Sequence, residues 1–328
     1  MSEPLLRVKG LRTEIPGGPG SVVAVDDLSF DIHQGEILGI VGESGSGKSM
    51  TALSIMGLVA PAGRVTAKRM EFDGWDLTGL DEAAMRRLRG REMAMIFQDP
   101  MTSLNPVLSI GFQLIEQLRW RLGLSRRQAR RQAVELLGRV GISGAERRLD
   151  DYPHQFSGGM RQRVSIAMAI SCEPKLLIAD EATTALDVTI QAQITDLIMR
   201  LCEESGMSVM WISHDLGVVA GLCDRVNVMY AGRLAESADA MSLYAHSRHG
   251  YTRGLMKSVP RIDRRRQRLE AIAGRPPSLI DLPKTCPFEP RCAYSTPECG
   301  AKPAPRRNFG ENHIAYCWAD LPAEEGVE

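Results

Sequence analysis

Gly42-Glu43-Ser44-Gly45-Ser46-Gly47-Lys48-Ser49 decides the reading of this chain, because it fills every fixed position of G-x-x-x-x-G-K-S, the phosphate-binding loop. The short apolar run Glu36-Ile37-Leu38-Gly39-Ile40-Val41 ahead of it suits a buried strand, and Thr51 to Leu58 behind it is apolar at helical spacing. Strand, glycine loop and helix form the context the motif requires. The glycines let consecutive backbone N–H groups turn inward onto phosphate oxygens. The helix N-terminus adds partial positive charge at the same place. Lys48 is expected to reach the β- and γ-phosphates, and the Ser49 hydroxyl to ligate Mg²⁺. The stretch therefore predicts a nucleoside triphosphate site.

The 328 residues suffice for one large or two modest domains. Forty basic and forty acidic residues cancel, so net charge supplies no argument for a nucleic-acid partner. No apolar run approaches the ~18–20 residues of a membrane span, and Met1 to Gly10 has no stretch of signal-peptide character. A soluble cytoplasmic protein is expected. Seven cysteines are an odd number, and four of them crowd the C-terminal end. In the cytosol such a cluster reads as a metal site before a disulfide set.

Outward from the loop, Leu5 to Ile15 and Val22 to Ile32 read as a hairpin turning at Gly17-Gly18-Pro19-Gly20. Asp81 to Arg91 is a basic helical stretch, a solvated face or one drawn to anionic lipid. Met93 to Phe97 is a strand ending at Gln98. Helical spacing then takes over from about 100 to 171, with a capping box at Ser125-Arg126-Arg127-Gln128 and a stop at Gly141. Lys175 to Ala179 is a buried strand with Asp180 and Glu181 at its end. Val188 to Ser205 is a helix with Ile190, Ile194, Leu197, Ile198 and Leu201 on one face. Met207 to Ile212 is a strand leading to Ser213-His214-Asp215, and Arg225 to Tyr230 is another. Alternating strands and helices predict an α/β class with a mainly parallel sheet, N-terminal antiparallel strands and an inserted helical subdomain. The expected organisation is a nucleotide-binding domain at 1–258, with the helical subdomain at about 100–171. A linker and cysteine-bearing extension follow at 259–328, marked by the charge run Arg261–Arg268 and the proline-rich Gly274–Pro283.

An acidic pair at a strand end complements a phosphate loop: Asp180 would hold Mg²⁺ and Glu181 would orient and deprotonate the attacking water. Ser157-Gly158-Gly159-Met160-Arg161-Gln162, just upstream, resembles the signature motif of ATP-binding-cassette ATPases. Gln98 resembles their Q-loop glutamine, Asp187 in Ala185-Leu186-Asp187 the D-loop aspartate, and His214 the switch histidine. Met95-Ile96-Phe97-Gln98-Asp99-Pro100-Met101-Thr102-Ser103-Leu104-Asn105-Pro106, Tyr152-Pro153-His154-Gln155 and His249-Gly250-Tyr251-Thr252 are similar to the ATPase subunits of bacterial oligopeptide and dipeptide importers. Related importers of nickel, glutathione, opines or sugars share much of this wording.

The resemblance implies Glu181, His214 and Gln98 as catalytic residues. It implies nucleotide contacts from Gly42, Glu43, Ser44, Gly45, Ser46, Gly47, Lys48, Ser49, Met50, Asp180 and Asp187, and from Ser157, Gly158 and Gly159 across a dimer. Mg²⁺ would be held by Ser49, Gln98 and Asp180. Its implied partners are a second ATPase subunit, two transmembrane permease subunits and, indirectly, an extracytoplasmic solute-binding protein. Its implied place is peripheral, on the cytoplasmic face of the bacterial inner membrane. A soluble ATPase switch of the same superfamily is the rival, although such proteins usually carry two cassettes or a long coiled coil. The chain departs from the pattern at Ala182 (usually proline), Ser213 (threonine), Ile15 (often aromatic) and Gly250 (commonly proline).

Cys286, Cys292, Cys299 and Cys317 are spaced C-x5-C-x6-C-x17-C. This is looser than zinc knuckles and matches no ferredoxin spacing, so spacing leaves iron–sulfur, zinc and free thiols open. Cys286-Pro287-Phe288-Glu289-Pro290-Arg291-Cys292 resembles the C-terminal cysteine motif of the peptide-importer ATPases, which implies a 4Fe–4S cluster. Cys172, Cys202 and Cys223 read as packed apolar residues.

Overall fold

The structure, a computed structural model, describes residues 3–17, 20–99, 103–184, 186–258 and 271–321. The chain forms two compact units, Met1–Gly79 with Trp211–Glu328, and Leu80–Met210.

In the first unit β1 (Leu6–Gly17) and β2 (Gly20–Ile32) pair antiparallel, from Leu6 opposite Ile32 to Gly17 opposite Gly20. Leu6, Val8, Leu11 and Thr13 are buried from one strand, and Val25, Leu28, Phe30 and Ile32 from the other. That alternation fixes which face of the expected hairpin is covered. The tip of its turn, 18–19, lies outside the described residues, as does the charge run 261–268. β4 (Arg64–Thr66), β5 (Arg69–Phe72) and β6 (Trp75–Asp76) complete this sheet; β4 and β5 both pair with β1. Strands this short have no room for a periodic signal.

A second sheet runs β12-β13-β11-β10-β3 within this unit. β3 (Ile37–Val41) lies parallel to β10 (Arg225–Tyr230), with Gly39 opposite Val226. β11 (Arg233–Asp239) returns antiparallel beside β10. β13 (Ile314–Tyr316) and β12 (Arg306–Asn308) then extend the edge, so the cysteine-bearing extension contributes strands to the sheet of the phosphate loop. α1 (Lys48–Ile55) opens within the loop motif, at Lys48, three residues before the expected start. α8 (Leu216–Leu222), α9 (Ala240–His246) and α10 (Gly250–Ser258) pack on this sheet, and α11 (Pro297–Ala301) lies in the extension.

In the second unit β7 (Met93–Ile96) and β8 (Leu176–Asp180) pair parallel, Met93 opposite Leu176 and Ile96 opposite Ala179. β8 is buried throughout, which accounts for the apolar run of its first four residues, Leu176 to Ala179, ahead of Asp180. α2 (Glu82–Leu88) is capped by Asp81 and stops at Leu88. Beyond it the basic run turns back, and Arg89 grips Glu82 with bonds of 2.7 and 3.1 Å. α3 (Ile110–Leu122), α4 (Arg126–Arg139), α5 (Ala145–Arg148) and α6 (Gly158–Ile170) follow, and α3, α4 and α6 pack through Leu114, Leu118, Ala129, Ala133, Leu137 and Val164. The capping box of Ser125 and Gln128 is formed as expected. α7 (Val188–Ser205) buries Ile194, Leu197, Ile198 and Leu201. β9 (Ser208–Ser213) carries the chain back to the first unit. Among the described residues no helix is long and apolar enough to cross a membrane.

Candidate functional site

The phosphate loop joins β3 to α1 in the first unit. At Gly42 φ is 154°, and a Cβ there would stand 2.2 Å from the Met229 carbonyl oxygen, so only glycine lets the chain leave β3 at this point. The loop is pinned from outside: the Gly232 N–H donates to the Ser46 carbonyl at 2.9 Å, and the Asp26 N–H to the Gly232 carbonyl at 2.8 Å. Lys48, only 4% exposed, donates from Nζ to the Gly42 carbonyl at 2.7 Å and the Glu43 carbonyl at 3.0 Å. Its ammonium therefore lies over the loop's first turn, at the N-terminus of α1. Ser46 is buried; Ser44 and Gly45 are exposed, and Ser49 and Met50 half-buried.

His214 also belongs to the first unit, exposed just beyond β9. Asp215 behind it caps α8, accepting from the N–H groups of Gly217 and Val218 at 2.8 and 3.4 Å. That cap fixes where the strand stops and hence where His214 stands.

The second unit holds the other residues the sequence singles out. Asp180 ends β8 and is 5% exposed. Glu181 follows at φ 47°, a left-handed backbone uncommon for a residue with a Cβ and frequent at working sites. Its Oε2 accepts from the Gln98 amide at 2.9 Å and from the Thr184 hydroxyl at 3.0 Å. The structure thus brings Gln98 and Glu181 together across 83 residues of sequence. Ala182, where proline was the expectation, is buried. Ser157 caps α6 by accepting from the Met160 N–H at 3.3 Å. Ser157 and Gly158 are exposed at that helix N-terminus, where unpaired N–H groups and the helix dipole favour an anion. Asp187 caps α7 through the Ile190 N–H at 3.0 Å. Pro100 to Thr102 and Ala185 of the quoted motifs lie outside the described residues.

Sequence reasoning missed what holds Glu43, which the motif treats as a free position. Arg291 donates to both its carboxylate oxygens, at 2.7 and 3.0 Å, and to the Tyr230 hydroxyl at 3.1 Å. The Glu43 N–H donates to the Tyr251 hydroxyl at 2.7 Å. The only signal was that Arg291 stands inside the cysteine motif.

The four C-terminal cysteines also share one neighbourhood. The Cys286 N–H donates to the Cys299 carbonyl at 3.2 Å. Burial pushes the Cys286 thiol up to about 11, with the Cys299, Cys317 and Cys292 thiols adding to the rise. Burial and the neighbouring cysteines likewise raise Cys292 and Cys317. Cysteine sulfurs gathered in one neighbourhood are, once deprotonated, the donor chemistry of a cationic metal centre. Yet among the described residues no group of three or more His, Cys, Asp or Glu is arranged to hold a metal ion, so the closed cluster site implied by the resemblance is not reproduced. Burial pushes Cys202 up to about 12 and raises Cys223 further, as fits packed, inert thiols.

Comparison with known proteins agrees with these motifs. A family model described as ABC transporter matches residues 25–184, and one described as oligopeptide/dipeptide transporter, C-terminal region, matches 235–299. The oligopeptide transport ATP-binding protein OppD of Haemophilus influenzae is 49% identical over 322 residues, covering 98% of this chain and 98% of that protein. The dipeptide transport ATP-binding protein DppD of Escherichia coli is 48% identical over 313 residues, covering 95% of this chain and 96% of that protein. Among solved structures, a dimeric ATP-binding cassette in a post-hydrolysis state bound to ADP and Pi superposes with a TM-score of 0.65 at 27% identity, covering 72% of this chain and 98% of that one. The chain belongs to the ATP-binding-cassette transporter ATPases, in the branch that carries the oligopeptide/dipeptide transporter C-terminal region.

Proposed function

We propose that this chain is the ATP-hydrolysing subunit of a bacterial importer for peptides or a related solute. The observation that carries this reading is the near-full-length similarity, through cassette and C-terminal region alike, to proteins named for oligopeptide and dipeptide transport. Gly42 to Met50 and Asp180 bind MgATP, with Ser49, Gln98 and Asp180 around the metal. Glu181 is the general base, and His214 and Gln98 read the γ-phosphate. Ser157-Gly158-Gly159 and Asp187 serve a second ATPase subunit, whose own loop they face, so ATP closes the pair and hydrolysis loosens it. Residues 1–258 form the cassette, with its helical part at about 100–171 offered to two permease subunits. Residues 259–328 form the linker and extension. The chain sits peripherally on the cytoplasmic face of the inner membrane, and an extracytoplasmic binding protein delivers the solute.

The test is co-expression with candidate permease subunits of a peptide-type importer. The chain is expected in the membrane fraction only when the permeases are present, and those cells are expected to take up di- or oligopeptides. Uptake of nickel, glutathione, an opine or a sugar in place of peptides would reassign the solute. Permanent association with ribosomes or nucleic acid, regardless of permeases, would reject the transport reading.

We also infer that Cys286, Cys292, Cys299 and Cys317 hold a metal centre, a 4Fe–4S cluster with zinc as the alternative. Support comes from the neighbourhood that the four cysteines share and from the similarity of the C-terminal region. Bound there, the group would cross-link the extension. Protein purified anaerobically is expected to be brown with about four irons per chain. Colourless protein with one zinc selects the alternative, and metal-free protein removes the site.

A further inference from the structure

Glu43 is fixed at three points, and two of them come from the C-terminal part of the chain. Its N–H donates to the Tyr251 hydroxyl, its carbonyl accepts from Lys48, and its carboxylate is gripped by both terminal nitrogens of Arg291. The Arg291 side chain is only 6% exposed. Its Nε donates to the Ala273 carbonyl at 2.9 Å, so the guanidinium is already oriented before it meets Glu43. Tyr230, Tyr251 and Phe288, all buried, wall it in, with ring centroids 4.6 to 5.2 Å apart. A bidentate arginine–carboxylate pair whose guanidinium is buried and whose carboxylate side chain is 27% exposed is stiffer and stronger than a fully exposed, single-contact ion pair. The residue it stiffens lies at the start of the phosphate loop and supplies a carbonyl that locates the phosphate-binding lysine.

We propose that Arg291 is a positioning residue for the nucleotide site: through Glu43 it holds the first turn of the phosphate loop, and with it Lys48, in the shape that receives phosphate. The extension is then one wall of the ATP site. This rests on the nucleotide reading of the loop and adds a residue 248 positions away from it. Linkage makes the effect reciprocal: ATP that binds the held loop also holds the extension.

ATP binding to the full-length chain, measured with Mg²⁺ and a fluorescent ATP analogue, tests this. Arg291→Met and Glu43→Gln are each expected to weaken binding roughly tenfold, the scale of one charge-assisted hydrogen-bonded pair. The double variant is expected to lose no more than either single one, because the two residues act as a unit. Arg291→Lys, which keeps charge but not the fork, falls between. Hydrogen exchange supplies a readout that a purely structural tether would not move: ATP is expected to slow exchange across 286–317 in the wild type and not in Arg291→Met. Lys48→Ala separates the two failures. Wild-type ATP binding in Lys48→Ala would overturn the nucleotide reading itself. Loss of binding in Lys48→Ala beside wild-type binding in Arg291→Met and Glu43→Gln would overturn the positioning role, even if both melted earlier. Should Arg291→Met fail to fold, Glu43→Gln decides alone, because it leaves Arg291 and its other partners in place.

Discussion

Glu181→Gln is expected to bind ATP as the wild type does and to hydrolyse it roughly 10²–10⁴-fold more slowly, the usual contribution of a positioned general base. The geometry makes this substitution clean. Glutamine has the shape of glutamate and keeps a carbonyl oxygen to accept from the Gln98 amide and the Thr184 hydroxyl. It gains no new clash, since the residue already sits in a left-handed backbone with a Cβ. What disappears is basicity: an amide oxygen takes no proton from water at neutral pH. Binding and chemistry therefore separate, and steady-state hydrolysis with an independent nucleotide affinity shows both. If ATP links two subunits and hydrolysis parts them, the variant is also expected to accumulate as the ATP-bound pair in size-exclusion chromatography. Near-normal turnover would remove the role proposed for Glu181.

Much of this was legible before the structure. The phosphate loop is written in eight consecutive residues whose types are dictated by local backbone geometry, so no distant partner is needed to recognise it. The caps at Ser125 and Ser157 are local for the same reason: each oxygen meets an N–H three residues on. What stayed hidden depends on residues far away in the chain. Arg233 to Asp239 reads as polar and alternates weakly, yet most of β11 is buried because β10 covers one edge and β13, some way along the extension, the other. Glu43 is a wildcard in the motif and acquires a role only when Arg291 arrives. Gly250 was visible solely as a departure from the family pattern. The structure supplies a reason, since a Cβ there would stand 2.6 Å from the Cys292 sulfur. Burial raises the Cys317 thiol, and the Ala319 and Gly250 backbones each offset part of that rise.

Glu236→Ala is expected to destabilise the first unit by about 3–5 kcal/mol, the cost of stripping one partner from a buried charged network. Glu236 lies on β11 with no exposure. Its Oε1 accepts from the Arg248 N–H at 2.6 Å and meets His313 Nε2 at 2.7 Å, while Oε2 accepts from the His249 N–H at 3.0 Å. One carboxylate thus satisfies the two backbone donors that lead into α10 and ties them to the extension through His313. Water cannot take over this work, because His249 and His313 are themselves buried. Burial lowers His249 to about 4, so it stays neutral, and its Nδ1 accepts from the Tyr251 N–H at 3.1 Å. Alanine leaves those donors without this acceptor and removes the partner of His313. Thermal or denaturant unfolding measures the loss, and Glu135→Gln supplies the contrast. Glu135 is 65% exposed and faces Arg131 at 3.9 Å, so its replacement is expected to change stability by less than about 0.5 kcal/mol. Should Glu236→Ala unfold within about 1 kcal/mol of the wild type, well below the cost of a buried unpaired group, then the Glu236 network is not what holds the extension. Tyr251 stands two residues beyond His249, its N–H held by the His249 ring, and its hydroxyl accepts from the Glu43 N–H, so a full-sized loss in Glu236→Ala is also expected to loosen the phosphate loop. In that case ATP, by binding the ordered loop, restores part of the lost stability, and the rise in melting temperature on adding ATP is larger for Glu236→Ala than for Glu135→Gln.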